Sequence, residues 1–387
     1  MAAPRDKPYR VYRGGRAKGK VPLSGRDAKT GSGRSDGTPP ARRRWTWKRV
    51  LLVVLPLLLV LLVIWSFAGF LSVRSGVAAA HRRLPAGTTS ALTHQSGLIL
   101  DSPTNILLLG TDHSTNGQAG RSSDQHSDSM MLLRADSGRH RLVYLSIPRD
   151  LRATIPGYGD QKINAAMQIG GPKLAIQTVQ QLTGLPVNHV VVVDFGAFQK
   201  LIDAIGGVTV NIPENILSNR FDCPYSTQAR CDQWPGWRFH KGVQHLSGHQ
   251  ALIYSRVREN RLNPADTDIT RGEHQQQVMQ AALSKLASVS TFLRLPLDGS
   301  TLLAPIATDL STWDFMQLGW VKFRAGTTLH CRLGGTSADI GGGSYIVGTQ
   351  ENISVIQEVL GNSAPQPPSP GGGQYAPGCV TGNQQFK

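Results

Sequence analysis

The segment HVVVVDFGAFQKLIDAIGGVTVNIP, residues 189–213, decides the fold class. It starts with an unbroken apolar run, continues with apolar residues at helical spacing, and ends with alternating apolar and polar residues. These patterns predict a buried strand, a helix that ends at Gly206-Gly207, and a second strand. A strand, a helix and a strand in succession are typical of an α/β domain.

The sequence on either side of this segment continues the alternation. Short apolar runs predict three more strands, NILLLG (105–110), SMMLLRAD (129–136) and RLVYLSIP (141–148), of which the last two form a hairpin. Helices are predicted over 173–184, where Gly184 suits a C-cap, over 247–258 and over about 271–288. Strands that are apolar along their whole length indicate a sheet that is covered by helices. We expect this folded domain to occupy residues 103–362.

A long apolar segment precedes the domain. Residues 50–73 (VLLVVLPLLLVLLVIWSFAGFLSV) contain no charge over 24 positions, and a helix of that length spans ~36 Å, enough to cross a bilayer core of ~30 Å. The basic residues just before it place the N-terminus in the cytoplasm and the domain outside, by the positive-inside rule. A cleaved signal peptide is the alternative, since Ala78–Ala80 resembles a cleavage site, but its apolar region would have only about 7–15 residues. We therefore expect one uncleaved transmembrane helix.

Most of the net positive charge lies in the N-terminal tail. The chain has a net charge of +16, and residues 1–49 contain 15 Lys or Arg and three Asp or Glu. This composition predicts a disordered cytoplasmic tail rather than a basic surface that binds nucleic acid. Residues 74–102 are predicted to be an extracytoplasmic linker, and residues 363–387 a Pro/Gly-rich tail.

All four cysteines follow the apolar segment, in a compartment that permits disulfides. Cys223 and Cys231 enclose a short polar loop, so a local bridge between them is plausible, and Cys331 would then pair with Cys379. Metal binding is a weaker alternative, because the sequence has no CxxC pair. Four free thiols are the remaining possibility.

Searches for common catalytic motifs find no GxSxG, HExxH, P-loop or GxGxxG that opens a helix. Charged residues instead stand at the ends of predicted elements, where α/β sheets bind ligands. They are Asp112, Asp128, Arg149, Arg256, Arg258 and Arg271, with Gln275 one helical turn after Arg271. Arginine forks match phosphate oxygens and two carboxylates suit Mg²⁺. On spacing alone, however, such residues are more often solvated charges or structural ion pairs, so the pattern by itself does not select phosphate chemistry.

Seven segments, in order, resemble the LytR-CpsA-Psr family of bacterial cell-wall enzymes. They are NILLLGTDH, SDSMMLLRAD, LSIPRDL, KINAAMQIGG, VVVVDFGAFQKLIDAIGGVTVNIPENI, HLSGHQALIYSRVREN and DTDITRGEHQQQ, within residues 104–287. The N-terminal anchor is also the family's layout, and the basic tail and Cys-bearing loop resemble actinobacterial members. The resemblance implies a central mixed β-sheet flanked by helices.

The resemblance also implies a function. Family members transfer a glycopolymer (teichoic acid, capsule or arabinogalactan) from a polyprenyl-pyrophosphate carrier to peptidoglycan, through a phosphodiester and with the help of Mg²⁺. Carried over by motif, Asp112 and Asp128 are the expected metal ligands, and Arg149, Arg258 and Asp128 the expected catalytic residues. The expected pyrophosphate ligands are Arg149, Arg256, Arg258, Arg271 and Gln275.

Two positions depart from the family pattern, because His126 and His274 stand where many members have arginine. A histidine near its ordinary pKa of ~6.5 is only partly charged at neutral pH, so the site would be less cationic or sensitive to pH. The alternative functions are a hydrolase of polyprenyl pyrophosphate, with water as acceptor, and a non-catalytic membrane-anchored binder or regulator of lipid-linked glycans. The apolar faces of the helices at 173–184 and 195–205 would either line a slot for the lipid or belong to the core.

Overall fold

The computed structural model describes residues 47–111, 127–263, 268–286, 288–303, 305–364, 367–369 and 375–382. The helices are α1 (Trp47–Arg83), α2 (Ala165–Thr183), α3 (Phe195–Ala204), α4 (Gln228–Gln233), α5 (Gly248–Arg256), α6 (Asp268–Leu286), α7 (Val289–Leu303), α8 (Thr312–Arg324) and α9 (Glu351–Leu360). The strands are β1 (Thr104–Thr111), β2 (Ser127–Asp136), β3 (Arg141–Ile147), β4 (Arg152–Ile155), β5 (Gly159–Lys162), β6 (His189–Asp194), β7 (Val208–Ile212), β8 (Ile216–Leu217), β9 (Arg238–Phe239), β10 (Gly242–Leu246), β11 (Ala307–Thr308), β12 (Thr327–Arg332), β13 (Gly335–Ile340), β14 (Gly343–Gly348) and β15 (Gly378–Thr381).

The chain divides into two compact units, Met1–Leu58 and Leu59–Lys387. The described part of the first unit is the beginning of α1, with exposed apolar side chains from Leu52 onward. Pro56 lies inside α1, as a membrane helix tolerates. From Leu52 to Arg83 this helix is long and apolar enough to cross a membrane.

The second unit is built on a mixed seven-stranded sheet in the order β11-β6-β1-β2-β3-β12-β15. The hairpin β2–β3 is antiparallel, whereas β6 and β12 run parallel to β1 and β3. Successive residues of a strand point to opposite faces, so each strand contributes to two cores. Leu107 and Leu145 pack with α2 on one face, and Ile106 and Tyr144 belong to the core on the other face. The predicted α/β class and mixed sheet are confirmed.

Several boundaries differ from the sequence-based predictions. The predicted linker 74–102 is partly helical, because α1 continues to Arg83 and Ala80 is fully buried. Helix α2 begins eight residues early, at Ala165, and bends at Gly170-Gly171, where Gly171 has a φ of 62°. Helix α5 ends at Arg256, so Arg258 lies beyond it.

Two strands have unexpected positions. Strand β7, the last part of the deciding segment, leaves the main sheet and pairs antiparallel with β10. Strand β15 lies in the predicted C-terminal tail 363–387, yet it forms the edge of the main sheet by pairing with β12. The prediction of a Pro/Gly-rich tail without regular structure is therefore wrong for Gly378–Thr381.

Both predicted disulfides are present. Cys223 is bonded to Cys231 with an S–S distance of 2.11 Å, and Cys331 to Cys379 with 2.05 Å. The second bridge joins register partners on β12 and β15, so it holds the edge strand to the sheet.

Candidate functional site

A cavity of about 1130 Å³ lies in the second unit, between one face of the sheet and helices α3, α6, α7, α8 and residues 65–73 of α1. Its wall is mostly apolar. The sheet contributes Ile106, Leu108, Met131, Leu133, Tyr144, Val191 and Val193, and the helices contribute Phe70, Phe198, Leu201, Val278, Met279, Leu302, Phe315 and Trp320, among others. A deep apolar cavity of this size is large enough for a long hydrocarbon chain.

Three of the four charged residues in the lining are arginines predicted to bind pyrophosphate, and the fourth is Lys322. Arg256 ends α5, Arg258 follows it, and Arg271 and Gln275 lie on successive turns of α6, which packs on α5. The Gln275 side chain donates a hydrogen bond from Nε2 to the Ser255 carbonyl oxygen at 3.3 Å, which joins the two helices at this point. The structure therefore brings four of the five predicted pyrophosphate ligands to one cavity. We call Arg256, Arg258 and Arg271 the arginine cluster.

Aromatic rings and one carboxylate orient Arg256. Its guanidinium lies 4.7 Å from the ring centre of Phe195 and 5.6 Å from that of Phe221, and forms an ion pair with Asp222. Asp222 has a φ of 48° and directly precedes the bridged Cys223. Phe221 and Asp222, directly before the disulfide loop, thus both contact Arg256.

Arg149, the fifth predicted pyrophosphate ligand, is not part of the cavity lining. It follows β3 and approaches Asp150, with Nε 3.3 Å from Oδ2, while Lys162 Nζ lies 2.8 Å from Oδ1 of the same carboxylate. Burial alone would raise the pKa of Asp150, but the hydrogen bond from Lys162 and the charge of Arg149 outweigh it and lower that pKa. Asp150 is therefore an anion that positions Arg149 at the end of β3.

The predicted metal ligands Asp112 and Asp128 cannot be placed, because Asp112 and the side chain of Asp128 lie outside the described residues. Their neighbours can be placed. Thr111 and Ser127 are register partners on β1 and β2, and Gly110 and Ser129 line the cavity. The β2–β3 pairing ends at Met130 and Ile147, two residues from Asp128 and two from Arg149. By their sequence positions, Asp112, Asp128 and Arg149 are thus next to the same end of the adjacent strands β1, β2 and β3.

His274 is buried and uncharged near neutral pH. Its ring lies 4.2 Å from that of Tyr254, and burial lowers its pKa to about 3. Among the described residues its Nδ1 has no hydrogen-bond partner, and it does not line the cavity. Its burial and its place outside the cavity lining do not favour a site made sensitive to pH by His274. His126 lies outside the described residues.

Of the two helices considered for the lipid slot, one lines the cavity and the other does not. Phe198, Leu201 and Ile202 of α3 belong to the cavity wall. Ile176 and Val179 of α2 belong to the core on the opposite face of the sheet. Sequence inspection missed the contributions of α1 and α8 to the wall. The signal for α8 was present, as Trp313, Met316, Trp320 and Phe323 recur at helical spacing.

This arrangement suits an amphiphile with an anionic head. Hydrocarbon is stabilised in the apolar cavity, and phosphate oxygens accept charge-assisted hydrogen bonds from arginine. The Arg256 guanidinium, close to the centres of two aromatic rings, has favourable cation–π contacts in a partly buried position.

Comparisons with known proteins point to one family. Residues 69–361 match the model of the LytR_cpsA_psr family. The polyisoprenyl-teichoic acid–peptidoglycan teichoic acid transferase TagU of Oceanobacillus iheyensis is 36% identical over 196 residues, which are 49% of this chain and 53% of TagU. The chain thus spans little more than half the length of that relative.

Solved structures share the fold. A structure of TagT bound to LI-WTA has a TM-score of 0.55 and 25% identity, and the match covers 72% of this chain and 97% of TagT. The family protein YwtF (TagT), solved with bound octaprenyl pyrophosphate lipid, has a TM-score of 0.51 and 24% identity over 72% of this chain and 97% of its own. Because its identity to this chain is only 24%, the similarity to the second structure shows a shared fold and nothing more.

Proposed function

Because the chain belongs to the LytR-CpsA-Psr family, we propose that it is a membrane-anchored phosphotransferase that attaches a glycopolymer to peptidoglycan. The donor is a polyprenyl-pyrophosphate-linked glycopolymer, and the product is a phosphodiester between the polymer and a peptidoglycan hydroxyl. TagU is named for a transfer of this class, which supports the reaction type.

The observation that carries the proposal is the apolar cavity of about 1130 Å³ with the arginine cluster and Gln275 in its wall. The polyprenyl chain of the donor occupies the cavity, and the pyrophosphate meets Arg256, Arg258 and Arg271. Arginine suits this role because its planar fork donates two parallel hydrogen bonds to phosphate oxygens.

The chemical step needs no covalent enzyme intermediate. The acceptor hydroxyl oxygen attacks the phosphorus that carries the sugar, the bond from that phosphorus to the bridging oxygen breaks, and polyprenyl phosphate leaves. The hydroxyl proton passes to a carboxylate, for which Asp128 or Asp112 is proposed. The protein contributes mainly positioning and charge stabilisation, and its arginines neutralise the leaving phosphate.

Asp112 and Asp128 would hold Mg²⁺, which supplies further neutralisation of the pyrophosphate when bound. Two carboxylates are suitable oxygen ligands for this ion. The paired backbone of their neighbours Thr111 and Ser127, next to cavity-lining Gly110 and Ser129, supports this assignment. Arg149 is proposed to contact the same phosphates from the end of β3, held there by Asp150.

Helix α1 is proposed to be the single-pass anchor, with the N-terminus in the cytoplasm and the domain outside. Its apolar length from Leu52 supports the anchor, and the five basic residues among positions 42–49 support the orientation. Two disulfides in the second unit agree with an oxidising compartment.

The test is a product assay. The full-length protein is incubated in vesicles with a polyprenyl-pyrophosphate-linked saccharide, peptidoglycan fragments and Mg²⁺, and the products are identified by mass spectrometry. A saccharide phosphate joined to the glycan supports the transferase. Free saccharide phosphate would instead indicate a hydrolase, and bound, unreacted donor a binding protein.

A further inference from the structure

Helix α8 carries an exposed apolar stripe. Trp313, Met316, Trp320 and Phe323 are exposed to 53%, 51%, 53% and 76%. Their spacing of three, four and three residues places them on one side of the helix. Side chains of this size in water are costly, and a contiguous exposed group of them marks an interaction surface.

Helix α7, which lines the same cavity as α8, also exposes large apolar side chains. Leu293 and Leu297, one turn apart, are exposed to 59% and 79%. Neither lines the cavity. We call these two residues, together with the four of α8, the α7–α8 face. In the rest of the second unit after α1, the exposed large apolar residues of the described chain are spread singly over separate elements and loops.

The face adjoins the part of α1 that belongs to the same unit. Ser300 donates its backbone N–H to Ser72 Oγ at 3.1 Å, which fixes α7 against α1. A Cβ placed on Gly69 would lie 3.5 Å from Leu295 Cβ, so the two helices pack closely. Preceding this contact, α1 exposes apolar side chains at Leu59, Leu62, Ile64 and Phe67. The α7 part of the face is thus held beside the apolar stretch of α1 in the same unit.

The composition of the face identifies its partner. Two tryptophans and a phenylalanine suit the headgroup region, where amphipathic rings are favoured. Arg324, exposed in the last turn of α8, supplies a charge complementary to anionic lipid headgroups. A protein partner would not need this combination beside a membrane helix.

We propose that the α7–α8 face lies in the outer leaflet of the membrane and holds the domain against the bilayer. The proposal rests on α1 being a membrane anchor, as stated under the proposed function. Met316, Trp320 and Phe323 also line the cavity, so the cavity opens at this face. A polyprenyl chain then passes from the bilayer into the cavity without crossing water.

The test uses the full-length chain in vesicles of phosphatidylcholine and phosphatidylglycerol, with a spin label on one introduced cysteine at a time. Leu297→Cys and Trp313→Cys report on the face, and both sites lie outside the cavity wall. Val243→Cys and Ile353→Cys are matched controls, since these residues are also exposed, to 73% and 60%. Leu62→Cys reports on the anchor itself.

The expected result is a ratio of oxygen to nickel-complex accessibility several-fold higher at positions 297 and 313 than at the controls. If the accessibility ratio at positions 297 and 313 equals that of the controls while position 62 has a lipid-like ratio, the α7–α8 face does not lie in the membrane, although α1 is still an anchor. An accessibility ratio at position 62 equal to that of the controls would overturn both the membrane anchor and the docking of the α7–α8 face. Spin–spin broadening at 313 that disappears on dilution with unlabelled protein would identify a second copy as the partner, and would also overturn the proposal.

Discussion

Arg256 combines several features of the site. It lies on the rings of Phe195 and Phe221, pairs with Asp222 and lines the cavity. These contacts restrict its side chain, so less conformational entropy is lost when it binds a phosphate. The ion pair with Asp222 also keeps the charge compensated when no ligand is bound.

The Arg256→Ala variant is expected to bind polyprenyl pyrophosphate about 10- to 100-fold more weakly, because a hydrogen bond to a charged group contributes about 1.5–3 kcal/mol. Binding to the full-length protein in vesicles would be measured by titration. Arg261→Ala is the matched control, since Arg261 is exposed, bonds to the Pro235 carbonyl and does not line the cavity. Equal affinities of the two variants would remove Arg256 from the site.

His274 predicts a dependence of stability on pH. Its folded pKa, about 3, is lower than the ordinary value of 6.5, so between these values the unfolded chain binds a proton that the folded chain does not. The free energy of unfolding therefore falls as pH decreases from about 6.5, by up to about 1.4 kcal/mol per pH unit. Denaturant titrations at a series of pH values should show that the free energy of unfolding of His274→Gln depends less steeply on pH than that of the unchanged protein.

His330 should behave similarly over a narrower range. Burial, aided by the charge of Lys322, lowers its pKa to about 4, so its contribution ends at a higher pH. In the double variant His274→Gln/His330→Gln, the free energy of unfolding should depend less steeply on pH than in either single variant. A slope unchanged by the His274 substitution would show that the ring is protonated in the folded state.

At the scale of elements, the two disulfides should differ in their effect on stability. They close loops with sequence separations of 8 and 48 residues. Loop-closure entropy then gives about 2.5 kcal/mol for Cys223–Cys231 and about 4 kcal/mol for Cys331–Cys379. Paired Cys→Ala variants, compared by chemical denaturation, should follow this order.

The shorter bridge should matter more for donor binding, since it fixes the loop that presents Asp222 to Arg256. Weakened binding is therefore expected in the Cys223/Cys231 variant and unchanged binding in the folded Cys331/Cys379 variant. The reverse pattern would separate the disulfide loop from the site.

Elements whose apolar pattern matches their local structure could be predicted from the sequence. Strands β1, β2, β3 and β6 are apolar along their length because both faces of the sheet are covered, and α3 shows regular helical spacing. Strand β15 could not be predicted, because four residues in a Pro/Gly-rich tail carry no periodicity and only long-range pairing with β12 makes them a strand.

The candidate site shows the same limit. Arg256, Arg258, Arg271 and Gln275 were found from motifs, and their convergence on one cavity depends on α5 packing against α6. The contact of Arg256 with Asp222, 34 residues apart in sequence, leaves no local signal. The cavity itself is a product of packing among distant elements, so only its apolar composition could be anticipated.

At the scale of the whole molecule, the cavity predicts a dependence on lipid length. Each buried CH₂ contributes about 0.8 kcal/mol, so complete burial of a five-carbon isoprene unit contributes about 4 kcal/mol. Affinity for polyprenyl pyrophosphates should therefore rise by up to about 1000-fold per isoprene unit until the cavity is filled. Competition binding with a series of chain lengths measures this. Affinity that is independent of length would mean that the protein binds the pyrophosphate alone.

The most direct test of the account is to locate the donor's hydrocarbon on the full-length protein. A polyprenyl pyrophosphate with a photoreactive group on its terminal isoprene unit is crosslinked in vesicles, and the modified peptides are identified by mass spectrometry. The account predicts labels on cavity-lining segments of α3, α6, α7 or α8, which excess unlabelled polyprenyl pyrophosphate prevents. Labels confined to the exposed part of α1, or to segments such as α2 and α9 on the opposite face of the sheet, would contradict it.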